Sequence, residues 1–173
     1  MGAFDLTASH AQLYPPDQIF GQIPMELATT LSGMEVYERM ISGALPPPPM
    51  YKVANIRLLS AVSGHTRLEA VPLEDHYNPI GTIHGGWIAT LLDAALASCV
   101  HTCVPLGSGF TTVEFKTNLV RPVTVATGRL ICEGTVLYMG RSIATSEAKI
   151  TTEAGKMVAH GVETCAIFEM PGR

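Results

Sequence analysis

The residues whose types and spacing could do chemistry gather in one stretch, Asn78 to Cys103 (NPIGTIHGGWIATLLDAALASCVHTC). It reads as a turn-rich loop that enters a long, almost uncharged helix. Between His84 and His101 the only formally charged side chain is Asp93, set among small and apolar residues such as Ala89, Leu91, Leu92, Ala94, Leu96 and Ala97. Such a helix is expected to be buried nearly all round. A carboxylate inside it is costly unless it is hydrogen-bonded, paired or used. At the helix start, His84-Gly85-Gly86 presents backbone N–H groups at the positive end of the dipole, where negative charge is favoured. Donors at a helix entry, with an acid about two turns along, suggest a site.

The elements that must position these residues follow from the rest of the chain. Residues 1–24, with Pro15, Pro16 and Pro24, show no lasting period and read as a mobile or draped arm. Leu27, Leu31, Met34, Tyr37 and Ile41 then recur at helical spacing, interrupted by Ser32-Gly33, so one or two amphipathic helices are expected. Pro46 to Pro49 should end them as a stiff connector, since a proline run lying between elements is more often a spacer than a ligand for another domain. Strand-like runs cover 51–60 and 66–71, joined by the turn-forming Ser63-Gly64. After the helix, 110–120, 128–139, 142–151 and 157–168 read as a meander of long strands, with turns at Arg121-Pro122, Met139-Gly140-Arg141 and 153–156. Val158, His160, Val162, Thr164, Ala166 and Phe168 share one face of the last run. The expected architecture is α+β, an antiparallel sheet wrapped on one helix. It comprises an arm and helical extension over 1–45 and the main domain over 46–173.

Composition narrows the functions. With 173 residues, 47% hydrophobic and 15% charged, the chain can bury a core and has apolar surface left to hide, which favours oligomers. The net charge of −4 and the lack of a basic stripe argue against nucleic acid as a partner. The first Lys or Arg is Arg39, which does not fit a secretory signal. Asp93 interrupts the one run that approaches membrane-spanning length, so no membrane partner is expected. Cys99, Cys103, Cys132 and Cys165 make no disulfide framework in a domain of this size. They read as small thiols in a reducing cytoplasm. Neither their spacing nor that of the histidines suggests a metal site.

The pattern Asn78-Pro79-x-Gly81-Thr82-x-His84-Gly85-Gly86, a helical Asp93, Gly109-Phe110-Thr111-Thr112 and Asn118-x-x-Arg121-Pro122 resembles the hotdog-fold acyl-CoA thioesterases. The phenylacetic-acid-degradation (PaaI-like) type is the nearest group. The likeness spans about residues 46–168, including strand order. It implies a hotdog fold, a central helix wrapped by a curved antiparallel sheet. It also implies a homodimer as the minimum active unit, often a dimer of dimers (a homotetramer). The site would lie across the interface, with Asn78 and His84-Gly85 from one subunit and Asp93 and Thr112 from the other. Related enzymes carry Thr or Ser one turn after the acid, a position held here by Ala97, so water orientation falls to Thr112.

Under this resemblance, Gly85 N–H would meet the thioester oxygen, Asp93 would act as base or nucleophile, and Asn78 would bind the carbonyl or the water. His84 would orient the loop or contact the leaving-group side. Gly86, Arg121, Gly140 and Arg141 are candidates for holding Coenzyme A, the arginines because they can meet phosphates at strand ends. Trp87 would line the acyl pocket or the dimer seam. No separate cofactor is expected, Coenzyme A being part of the substrate. Each residue also has an ordinary structural reading: glycines for close packing, Asn before Pro for a turn, His for a cap, Thr for a strand, Arg for solvent. Two alternatives accompany hydrolysis, a hotdog dehydratase or hydratase and a non-catalytic acyl-CoA-binding protein.

Overall fold

The computed structural model describes residues 12–170. At its centre is the helix α4, Gly85–His101, preceded in the chain by three shorter helices, α1 (Met25–Ala28), α2 (Gly33–Ile41) and α3 (Pro49–Ala54). Leu91, Leu92, Ala95, Leu96, Cys99 and Val100 of α4 are wholly buried. Six strands, β1 (Ile56–Val62), β2 (His65–Ala70), β3 (Ser108–Leu119), β4 (Leu130–Met139), β5 (Ile143–Thr152) and β6 (Met157–Glu169), form one antiparallel sheet around it.

Side-chain hydroxyls seat the helix on the sheet. Thr66 of β2 donates to the Ala95 carbonyl at 3.2 Å, and Ser146 of β5 donates to the Leu96 carbonyl at 3.0 Å. On β4, a Cβ at Gly134 would collide with the Ala95 carbonyl, so a side chain there would push the helix off the sheet. These contacts fix the rotation of α4, and with it the direction in which Asp93 faces.

Three expectations are corrected. The first concerns residues 51–54, read as the start of a strand. They belong to α3, because Pro49 at the first helical position loses no hydrogen bond there and Asn55 ends the helix in the left-handed region (φ 48°). The second is the meander. The spatial order is β1-β2-β4-β5-β6-β3, so β3 leaves its neighbour in sequence and pairs with β6 at the far edge. The third is the helix expected to be buried all round. Thr90, Asp93, Ala94, Ala97 and His101 lie on a half-buried stripe that the chain's own sheet leaves open.

The expected arm is described from Gln12 onward; its first eleven residues lie outside the described range. From there it is draped on the domain. Leu13 N–H donates to Asn55 Oδ1 at 3.0 Å, Arg57 donates to the Leu13 carbonyl at 2.9 Å, and Gly21 N–H donates to the Pro47 carbonyl at 3.1 Å.

Candidate active site

The helix entry is a tightly tied loop. Asn78 Oδ1 accepts the N–H groups of Ile80 (3.0 Å) and Thr82 (3.2 Å), and its Nδ2 donates to Thr82 Oγ1 at 2.7 Å. The two N–H donors fix which side of the amide is oxygen, leaving one Nδ2 proton uncommitted. His84 caps α4, its Nδ1 accepting Gly86 N–H at 2.9 Å. That bond takes Gly86 out of the set of open donors. Gly85 N–H, by contrast, has no hydrogen-bond partner among the described residues. The bond from Ile83 N–H to the Val123 carbonyl (2.8 Å) brings the Arg121-Pro122 turn to the same end of the helix.

Asp93 sits about 12 Å further along the helix axis, at about 1.5 Å per residue. Among the described residues its carboxylate has no hydrogen-bond or ion-pair partner, and partial burial holds its pKa above the ordinary carboxylate range. Burial disfavours the charged form, and no donor offsets it.

Thr112 does not face open solvent. Its hydroxyl donates to Glu163 Oε1 at 2.9 Å, and the thiol of Cys165 donates to the same oxygen at 2.9 Å. Glu163, on β6, is only 2% exposed, and its Oε2 is buried without a partner. Burial raises the Glu163 pKa, the bonds from Cys165 and Thr112 lower it in part, and the nearby Asp93 raises it again. Burial and the neighbouring carboxyl likewise push the Cys165 thiol well above its ordinary value, so it is no ready thiolate. Glu163 escaped the sequence reading. Its only signal is a carboxylate on the odd-numbered face of β6, which points at α4.

The structure therefore brings Asn78, His84, Gly85 and Arg121 to one end of the helix and gathers Thr112 with Glu163 further along the sheet. Gly140 and Arg141 belong elsewhere. Arg121 N–H bonds to Val158 at one end of β6, while Ser142 meets Ile167 at the other. Nine residues of strand separate those points, about 30 Å at about 3.3 Å per residue. Gly140 N–H closes the β4–β5 turn on the Ile143 carbonyl (2.8 Å), and Arg121 Nε donates to the Met157 carbonyl (3.2 Å). Trp87 is part of the core. It is buried, stacks on His76 with ring centres 5.1 Å apart, and donates to the Ala54 carbonyl at 2.8 Å. Among the described residues no group of three or more His, Cys, Asp or Glu could hold a metal.

Residues 80–159 match the family described as the thioesterase superfamily. Acyl-coenzyme A thioesterase 13 of Homo sapiens is 30% identical over 113 residues, which span 65% of this chain and 79% of that protein. The chain belongs to the thioesterase superfamily. Thioesterase superfamily member 2 of zebrafish superposes with a TM-score of 0.64 at 26% identity, covering 79% of this chain and 98% of that one. A phenylacetic acid degradation-related protein from Ralstonia eutropha shares the fold with a TM-score of 0.68 at 23% identity, over 75% and 98% of the two chains. The expected α+β hotdog architecture and the resemblance to acyl-CoA thioesterases are borne out. At the level the superfamily fixes, this protein is a thioester hydrolase.

Proposed function

We propose that the protein hydrolyses a small to medium acyl- or aryl-CoA thioester to the free acid and Coenzyme A, with Asp93 as general base. The observation that carries this reading is an unpaired, half-buried carboxylate on the open stripe of α4, in a chain that also offers an unpartnered helix-entry donor at Gly85. Asp93 takes one proton from water as the water oxygen bonds to the thioester carbon. Negative charge gathers on the carbonyl oxygen, where Gly85 N–H and the free Nδ2 proton of Asn78 donate. The intermediate collapses, the C–S bond breaks, and Asp93 returns the proton to the departing sulfur. His84, committed to Gly86, holds the loop, and Thr112 orients the water. No cofactor enters this scheme.

The active unit in this reading is a homodimer. β3 is a twelve-residue edge strand, and its Val113, Phe115 and Leu119 are exposed. A long apolar edge is normally covered or paired. A two-fold axis pairing β3 with β3 would lay the Thr112 end of one strand beside the Leu119 end of the other, and Leu119 lies against Gly85. The same axis would bring the Arg141 end of one chain to the Arg121 end of its partner, uniting two arginines that a single chain keeps apart. Gly86, whose N–H is already used, and Gly140 would shape the backbone beside the Coenzyme A phosphates. The exposed Val162 and Phe168 on the outer sheet face suit further pairing into a dimer of dimers. A domain beginning near Pro46 and a reducing, cytoplasmic setting for the four free thiols complete the reading.

The test is Gly85→Pro. Proline at the first helical position removes the one N–H in question and leaves the helix its other bonds. His84, at φ −60° and ψ 134°, already has the extended backbone that a following proline requires. The nearest atom to the added Cβ is the flexible tip of Leu119, at 3.0 Å. Turnover should fall by about 10²–10³-fold, while Gly85→Ala, which keeps the donor, should lose far less. Equal loss in both variants would remove the oxyanion role of Gly85. A panel of CoA thioesters from acetyl through phenylacetyl to palmitoyl, read by thiol release, fixes the acyl class.

A further inference from the structure

Glu163 is a buried acid that the reaction above does not use. Thr112 O–H and Cys165 S–H both converge on its Oε1, each at 2.9 Å. Among the described residues the other oxygen, Oε2, has no partner and is buried, and the residue is 2% exposed. Among the described residues no Lys, Arg or His pairs with it. A buried polar atom left without a partner is uncommon and calls for a reason.

We propose that Glu163 is the positioning residue of the hydrolytic site: its Oε1 accepts the hydrogen bond of the single Thr112 hydroxyl proton, so that Thr112 meets the attacking water only as an acceptor. This deepens the reading of the previous section and rests on it. A hydroxyl has one proton and two lone pairs. With the proton held by Glu163, the lone pairs are what Thr112 offers. Water then gives one proton toward Asp93 and the other toward Thr112 Oγ1, which leaves an oxygen lone pair for the thioester carbon. A freely turning Thr112 could donate to that lone pair instead and block the attack.

The arrangement does not depend on the charge of Glu163. Oε1 already receives two donors, so a proton taken up by the carboxyl resides on Oε2. The unpartnered oxygen is the one free to carry it, and a neutral Glu163 avoids a second negative charge near Asp93. That neighbour is among the causes raising the Glu163 pKa. Gln then reproduces the neutral acid closely, its carbonyl accepting from Thr112 and its amide nitrogen standing at the Oε2 position.

The test compares Glu163→Gln, Glu163→Leu, Thr112→Val and the double variant Thr112→Val/Glu163→Leu in full-length protein, by steady-state thiol release. Glu163→Met serves beside Leu as a second apolar variant of similar length, and circular dichroism with sizing confirms that each is folded. Glu163→Gln should keep kcat within about threefold. Glu163→Leu and Thr112→Val should each lose about 10–100-fold in kcat with KM changed less than about twofold, a range set by general positioning effects. The double variant should be no slower than Thr112→Val, because Glu163 acts only through that hydroxyl. Wild-type kcat in the Leu and Met variants, multiplicative losses in the double variant, or a Gln variant as slow as Leu would each overturn the proposal. Wild-type turnover and its loss in Asp93→Asn report separately on the hydrolytic reading, so the two can fail independently.

Discussion

Glu69 on β2 and Glu163 on β6 are both buried acids on strands of one sheet, at 1% and 2% exposure, yet their surroundings are opposite. Glu69 has two cations. Its cross-strand partner Arg57 donates to Oε1 at 2.6 Å, and Arg129 pairs with Oε2. Both guanidiniums are nearly half exposed, so the cluster hands its charge to solvent, and Arg57 also binds the Leu13 carbonyl of the draped arm. Among the described residues Glu163 has only neutral donors on one oxygen and none on the other. Burial alone therefore does not mark a functional acid; burial without a cation is the feature on which the proposed role of Glu163 rests. Asp93 falls on the Glu163 side of this divide.

The contrast is sharpest in stability. Glu69→Ala leaves two arginines facing a vacated buried position and should cost about 2–3 kcal/mol, the range for charged hydrogen bonds, with some relief because both arginines can turn to water. The thermal midpoint should drop by roughly 4–12 °C, while kcat of the folded fraction stays within about twofold. A large fall in kcat at unchanged stability would place Glu69 with the site and erase the comparison.

Glu163→Leu should do the reverse. Replacing the acid with an apolar residue of similar size removes the unpartnered Oε2 but leaves the half-buried Thr112 hydroxyl and the weak Cys165 S–H donor without their acceptor, so stability should change by less than about 1 kcal/mol, in the same variant whose turnover falls. Chemical denaturation and thiol release on one preparation read both. A loss of stability like that of Glu69→Ala would make Glu163 an ordinary structural acid.

The smallest effect is in pH. The folded chain holds the pKa of Glu163 above its ordinary 4.5. An acid raised in this way stabilises the fold below its unfolded-state value and loses that contribution as pH climbs through its folded value. Measured against Glu163→Gln, wild type should thus gain stability as pH is lowered from neutrality toward about 4.5, and gain no more below that. A wild type that instead loses ground on acidification would mean an ionised, stabilised carboxylate. The comparison is best made by thermal melts of the two proteins side by side.

Much of the fold was legible because its signals are local. The apolar run after His84, the lone Asp93, the Ser63-Gly64 turn and the alternation of the late strands each show in a short window. What did not show was set at long range. Strand alternation does not name a strand's neighbours, so the passage of β3 to the far edge was unreadable. Pro49 to Ala54 mixes apolar and polar residues in a way that suits a short strand, and only proline's place at a helix start and the left-handed Asn55 make it helical. The site divides likewise. Asp93, Gly85 and Asn78 stood out by context, whereas Glu163 reaches Thr112 across 51 residues of sequence. Nothing local marks it, since both faces of β6 carry mixed residues and only the fold decides that the odd-numbered one turns inward.

The most direct measurement of the whole account is thiol release by wild type and Asp93→Asn across the CoA-thioester panel. Asparagine keeps the shape and removes the proposed base. Wild type should hydrolyse at least one of these thioesters, and Asp93→Asn should lose at least about 10²–10³-fold, with fold and assembly unchanged. Turnover within a few-fold of wild type in the folded variant would contradict this.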